Sequence, residues 1–331
     1  MQPNLTYSIV IETDNLTTIP WDEFSELLDI LGEQIQEATK LAYSPQPEIF
    51  FVLADEETAA SAFLDEVTSK NPALAQQAHF QVLCVPNGRY YELKNAGICA
   101  TSSDIVVLCD SDVIPEPGWL CNLLSPFREE EDAIASLGCS YLLHDDWLSK
   151  ALALFWFFPL RDEDEKVISK RPLLVNNCSF RREWLLDHLF SINDGFKVDC
   201  SLLYREMISE GIKIHRPPAY AGHQPLRGWR FLAWRAAVTG RDMDRKYELI
   251  KSASRIKRIL YPFRRSFTQF RRVLIRIVTK RRLVGLPIWH VPSAIAIGWW
   301  FYFLAGWEQF KLATGITRSA PEHIPEWVEH S

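Results

Sequence analysis

The residues best suited to chemistry lie where an apolar run stops. Ile105, Val106, Val107, Leu108 and Cys109 are followed directly by Asp110, Ser111 and Asp112. Side chains alternate along an extended chain, so the two carboxylates fall on the same side of the strand's carboxyl end. Ligand sites of open α/β sheets lie at that edge. Two carboxylates with no His or Cys beside them in sequence suit a hard divalent cation, Mn2+ or Mg2+, which also takes diphosphate oxygens. A D-x-D of this kind is equally the make-up of a solvated turn after a strand, so the surrounding elements decide between the two.

Those elements read as an α/β domain. Short β-rich runs at 7–11, 48–53, 80–85 and 105–109 alternate with helical periodicity at 21–40, 59–67 and 91–101, the pattern of a mostly parallel sheet flanked by helices. In 21–40, Phe24, Leu27, Leu28, Leu31 and Ile35 recur at helical spacing behind Asp22 and Glu23, which favour a helix N-terminus. No internal repeat or low-complexity stretch interrupts the chain.

Composition narrows the setting. Of 331 residues, 47% are apolar and 24% charged, which excludes a disordered chain and leaves room for a large core. Seven cysteines, an odd number without a C-x-x-C pair, fit a reducing compartment. Residues 1–11 lack a basic segment followed by a long apolar one, so no secretory signal is expected. The net charge of -6 conceals a strong division: residues 1–223 carry -19, residues 224–290 carry +15. Then 283–307 runs 25 residues without Asp, Glu, Lys or Arg and holds four tryptophans. Basic sequence beside aromatic-rich apolar sequence is expected at a cytoplasmic membrane face. Its length permits a span, but Pro287, His290 and Pro292 break the first third, which favours a helix or re-entrant pair lying in the interface over a full crossing. A buried core helix is the other reading of the run, against which the adjoining Arg272, Arg276, Lys280, Arg281 and Arg282 argue. The expected domains are therefore 1–223, catalytic, and 224–331, helical and membrane-associating with anionic lipid as partner.

Several further motifs stand in a recognisable order. Residues 7–223 resemble the family 2 glycosyltransferases of GT-A fold through these stretches: Ile9 to Thr13, with Glu12 where proline is usual; Lys94-Asn95-Ala96-Gly97-Ile98-Cys99-Ala100, like the helix before the metal strand; Asp110-Ser111-Asp112 with Pro115, Pro117, Gly118, Trp119 and Leu120; Asn176-Asn177-Cys178-Ser179-Phe180-Arg181-Arg182-Glu183; Gly195-Phe196-Lys197-Val198-Asp199, with Val198 where Glu is usual; and Pro217 to His223. The resemblance implies Asp199 as the base that activates an acceptor hydroxyl, and a Mn2+ or Mg2+ ion held by Asp110, Asp112 and His223. It implies donor contacts from Glu12, Thr13, Asp55, Lys94, Asp110 and Ser111. It also implies an acceptor side with Asn177, Arg181, Arg182 and Trp156, and support from Arg205. The donor would be a UDP- or GDP-sugar and the acceptor a glycan, a lipid or a lipid-linked glycan. Transfer by one in-line base inverts the anomeric centre, and a single carboxylate suffices for it, unlike the carboxylate pair of glycosidases.

Three other readings compete. With Val198 breaking the usual acidic pair, the chain could bind a nucleotide sugar without turning it over. Asp110-Ser111-Asp112-Val113 also fits the D-x-D-x-[TV] of a haloacid-dehalogenase-type phosphatase, although there the motif ends the first strand. Arg227, Trp229, Arg230, Trp234 and Arg235 interleave charge and aromatics as nucleic-acid platforms do. No nucleic-acid module accompanies them, and no nucleic-acid partner is expected. Asp199 could also simply open a helix, and the aromatic run 147–160 that contains Trp156 fits a core as well as a groove.

Overall fold

The computed structural model describes residues 5–14, 16, 19–44, 46–164, 172–192, 198–224 and 228–316. Gly195, Phe196, Lys197 and Arg227 lie outside the described residues, as does the end of the chain from 317. The chain forms two compact units, the first comprising Met1–Ser140, Ile168–Ile192 and Leu203–His223. The second gathers Tyr141–Val167, Asn193–Leu202 and Gln224–Ser331. His223 is thus one boundary among several, because two segments upstream of it join the helical region.

In the first unit the chain runs β1 (Tyr7–Glu12), α1 (Trp21–Lys40), β2 (Glu48–Leu53), α2 (Thr58–Lys70), α3 (Pro72–Ala75), β3 (His79–Cys84), α4 (Tyr90–Ala100), β4 (Ile105–Asp110), β5 (Val113–Pro115), α5 (Trp119–Glu129), β6 (Ala135–Leu137) and β7 (Cys139–Leu142), whose last two residues pass into the second unit. After α6 (Trp147–Phe155) of the second unit come β8 (Asn177–Arg181) and α7 (Arg182–Asp187), then α8 (Asp199–Ser209), which opens in the second unit, and β9 (Ile214–His215) and β10 (Tyr220–His223). The main sheet has seven strands in the order β3-β2-β1-β4-β8-β6-β9. The first four are mutually parallel, and β8 runs antiparallel to both β4 and β6. β5 and β10 pair separately, and β7 joins β10 at Cys139.

The strand order reverses at β1 and β4. The chain builds outward from β1 to β2 and β3, then returns through α4 to lay β4 on the other side of β1. The crevice outside the carboxyl ends at such a switch point is where open α/β sheets hold their ligands. All six positions of β1 and all six of β4 are buried, as expected for parallel strands covered on both faces. The stripe predicted on α1 is the buried one, with Phe24, Leu27, Leu28, Leu31 and Ile35 all inside. On the other side α4 lies tight against the sheet at Gly97, where a Cβ would come within 2.3 Å of Val10 Cγ1.

The second unit is helical: α6, α9 (Trp229–Leu249), α10 (Arg255–Lys280), a 3-10 turn at Ile288–His290 and α11 (Val291–Thr314). The aromatic run 147–160 belongs here. Tyr302 Oη donates to Phe155 O at 2.8 Å, and Gly298 of α11 leaves room for the Phe155 ring. Buried Arg276 donates to Trp156 O and Phe158 O and pairs with Glu163 at 3.4 Å. α11 packs against α9 where Gly240 meets the Ala305 carbonyl, so close that a Cβ would stand 2.1 Å from the oxygen.

Candidate active site

The parallel register brings Glu12, the last residue of β1, alongside Asp110, the last of β4. Both are buried, as are Ser111 and Asp112 in the turn beyond. The antiparallel pairing of β10 with β5 then sets His223 opposite Val113, one residue after Asp112. His223 Nε2 lies 3.3 Å from Asp112 Oδ2. One ligand atom each from Asp110, Asp112 and His223 lie within 4.8 Å of one another. Two carboxylate oxygens and an imidazole nitrogen at that separation could hold a divalent ion such as Mn2+.

Asp110 is held from behind by α4. Tyr90 and Lys94, four residues apart, stand one helical turn from each other on the same face. Tyr90 Oη donates to both Asp110 oxygens, at 3.0 and 2.9 Å, and Lys94 Nζ donates to Oδ1 at 2.6 Å. The Lys94 side chain is wholly buried and that of Asp110 nearly so. Burial opposes the lysine's charge, yet Asp110 and then Glu12 outweigh it and raise the Lys94 pKa above the usual value. For Tyr90, burial and then the Asp110 charge act together and push the phenol well above its ordinary pKa, keeping it a donor. Sequence alone did not point to Tyr90. Its signal was the four-residue step to Lys94 on the helix preceding the acidic turn.

The remaining expected residues divide by place. Thr13 follows Glu12 and is tied back to β2, its N and Oγ1 both donating to Val52 O at 3.2 and 2.9 Å. Glu12 Oε2 accepts from Asp14 N at 2.9 Å. Ser111 Oγ is buried without a hydrogen-bond partner among the described residues. Asp55 is exposed two residues beyond β2 and caps Glu56 N at 2.7 Å. Asn177 pairs with Cys109 across β4 and β8, close to the same edge. Its amide accepts from Trp119 Nε1 at 2.8 Å and donates to Ala219 O at 3.1 Å, bracing the interior.

Arg181 and Arg182 go elsewhere. Antiparallel pairing sets Arg181 opposite Ile105, the first residue of β4, roughly 17 Å along the strand from Asp110 at about 3.3 Å per residue. There Arg181 donates to Glu131 O, and Arg182 to Thr101 Oγ1 at 3.2 Å. Arg205 is exposed on α8. Trp156 is buried inside the helical unit against Phe301, with Arg235 over its ring at 5.9 Å. Asp199 is the buried first residue of α8, in the second unit. The amides of Ser201 and Leu202 bond to Val198 O, so Val198 occupies the cap and Asp199 begins the helix proper.

Comparison with solved structures bears on the fold. No curated protein matches the chain in sequence. Among solved structures, the mannosyltransferase from Pyrobaculum calidifontis in complex with GDP-Man and Mn2+ is similar in fold. It has a TM-score of 0.54 at 13% identity, over 93% of this chain and 88% of that one. Mannosyl-3-phosphoglycerate synthase from Rubrobacter xylanophilus aligns over 76% of each chain at 14% identity, with a TM-score of 0.48. Residues 44–189, which include Lys94 and the Asp110-Ser111-Asp112 turn, match the profile of glycosyl transferase family 2, and the mostly parallel sheet with its flanking helices has the GT-A fold.

Proposed function

We propose that this protein is an inverting, divalent-metal-dependent glycosyltransferase. It would move a sugar from a UDP- or GDP-sugar to a hydroxyl of a lipid or lipid-linked glycan at the cytoplasmic membrane face. The convergence of Asp110, Asp112 and His223 at the switch point of a family 2 domain carries this reading. Those three residues would hold Mn2+ or Mg2+, and the pairing of imidazole with carboxylates suits Mn2+. When bound, such an ion offsets the charge that develops on the departing diphosphate.

The chain's own groups do the rest. Lys94 and Tyr90 fix the Asp110 carboxylate in one orientation, so that it need not reorganise when the donor arrives. Ser111 offers a buried hydroxyl to the donor, and Thr13 and Glu12 border the same edge. Asp55 stands exposed past the neighbouring strand. Asp199 takes the acceptor proton as the hydroxyl attacks. Attack opposite the leaving group inverts the sugar's configuration.

The test is nucleoside diphosphate release by the full-length protein from a panel of UDP- and GDP-sugars, with Mn2+ and a membrane lipid extract as acceptor. Release is expected with at least one donor, and EDTA or Asp112→Ala should abolish it. Asp199→Asn should keep the donor bound and slow turnover by about 10²–10⁴, the usual worth of a general base. Release that survives both EDTA and Asp112→Ala rejects the metal role. Donor binding without any release by the native protein selects the non-catalytic binder.

A further inference from the structure

Helix α10 carries an apolar stripe that no described residue covers. Ile256, Leu260, Phe263, Phe267, Leu274 and Val278 are all exposed, Phe267 by 75% and Ile256 by 72%. Their spacings of three, four and seven residues keep them on one helical face. Lys257, Arg264 and Arg271, also exposed, recur every seven residues and form a cationic row along its border. The apolar surface continues onto α11. Trp299 Nε1 donates to Phe270 O at 3.1 Å, Phe263 lies 5.7 Å from Phe310, and Phe310 stacks on Trp307. Trp299, Phe303 and Trp307 are themselves exposed.

We infer that this face of α10, extended by the tryptophans of α11, inserts into the headgroup region of an anionic phospholipid monolayer. The inference deepens the membrane-face reading by naming the surface and the lipid chemistry. An isolated apolar patch of this extent marks an interaction site. A basic amphipathic helix with aromatic anchors meets the demands of an anionic interface: apolar side chains reach the acyl boundary, Trp sits at headgroup depth, and Lys and Arg meet the phosphates. A second copy of the chain is the competing occupant, because 256, 260, 263, 267, 270 and 274 follow the four-three alternation of a coiled-coil seam. Charge decides between them. Stable coiled coils set opposite charges beside the seam, whereas α10 has nine Arg and Lys and no Asp or Glu. Two copies would bring cation against cation, and an anionic surface removes that repulsion.

The experiment is flotation of the full-length protein with phosphatidylcholine vesicles, and with vesicles in which one third of the lipid is phosphatidylglycerol. Light scattering on the lipid-free protein accompanies it. Binding to the anionic vesicles should be about 100-fold stronger, at about 1 kcal/mol for each of three surface cations. Phe263→Asp with Phe267→Asp should lose binding to both vesicle types. Lys257→Glu, Arg264→Glu and Arg271→Glu together should remove the preference for anionic lipid. Unchanged melting temperatures would verify that these exposed substitutions leave the fold intact. Undiminished flotation of the phenylalanine variant overturns the assignment of this face. A concentration-dependent dimer that the phenylalanine variant breaks, with no vesicle binding by the native protein, assigns the face to a second copy instead. Diphosphate release measured with the lipid extract dispersed in detergent, which presents no bilayer surface, fails or succeeds independently of all these outcomes.

Discussion

Asp110 is the residue on which the candidate site turns, and its partners make its role measurable. Lys94 and Asp110 form an almost fully buried ion pair, with Tyr90 as third member. Removing one partner of such a pair leaves an uncompensated charge and costs about 3–5 kcal/mol. Lys94→Met should therefore lower stability by that amount in EDTA. Mn2+ should restore more of it than it adds to the native protein, because a cation at Asp110 takes over the lysine's electrostatic task. Equal Mn2+ shifts of the melting temperature in both proteins would sever Asp110 from any bound ion. Asp112→Ala should lose the Mn2+ shift altogether. Asp110, Asp112 and His223 were legible in the sequence because a D-x-D ends an apolar strand and a His comes after it at a recognisable interval. Tyr90 was not, since a tyrosine in a helix carries no motif. The far position of Arg181 and Arg182 depends on β8 running antiparallel to β4, a pairing that local sequence does not encode.

At the level of elements, the four strands and the three longer helices up to Asp110 fall within three residues of their expected limits, because the strands are apolar runs with clear ends and the helices keep a period of 3.6; the four-residue α3 is too short to show one. The elements beyond Asp110 were less readable. β6 and β9 have three and two residues, too few to show any period, and the helical unit recruits its upstream segments through packing alone. The fit of α4 on the sheet is a tight one: a methyl at Gly97 would collide with Val10. Gly97→Ala should cost about 1–3 kcal/mol by overpacking, read as a lower urea midpoint with an unchanged slope, and would shift Lys94 and Tyr90 with the helix. A second junction responds to pH. His188, just past α7, bonds Trp184 O at 2.7 Å and Glu210 Oε1 at 3.1 Å. Burial works against its charged form, but these two partners prevail and hold its pKa above 6.5. A raised pKa means the contact stabilises fully below pH 6.5 and fades as pH climbs through the folded value. The His188 ring resonances should titrate above 6.5, and Glu210→Gln should bring that midpoint down; a native midpoint at or below 6.5 removes the effect.

Across the whole molecule, the decisive question is whether the apolar C-terminal helix crosses a bilayer. Together with the turn before it, Ile288–Thr314 is long and apolar enough to span, and among the described residues it is the single helix that is. Within its own unit, however, one face is taken. Ala294, Ile297, Phe301, Tyr302 and Ala305 are buried in the helical unit, where α9 and α10 pack on α11. Those neighbours carry Arg241, Asp242, Asp244, Arg245, Lys246 and Glu248 on α9, and nine cations on α10. Carrying α11 to the middle of a bilayer in this packing would take charged residues with it, at about 2.5–3.5 kcal/mol for each Arg, Lys or Asp at the centre. Lying flat, the same unit keeps its charges at headgroup depth, which suits a segment of net +15 following one of net -19. A cysteine placed on each side of α11, as Lys251→Cys and Ser331→Cys in separate chains otherwise free of exposed cysteine, distinguishes the two arrangements. With the protein on the cytoplasmic face, a membrane-impermeant maleimide should label both positions in inverted membrane vesicles and neither in intact cells. Labelling of one position in cells and the other in inverted vesicles would establish a crossing helix, and the in-plane arrangement would fall.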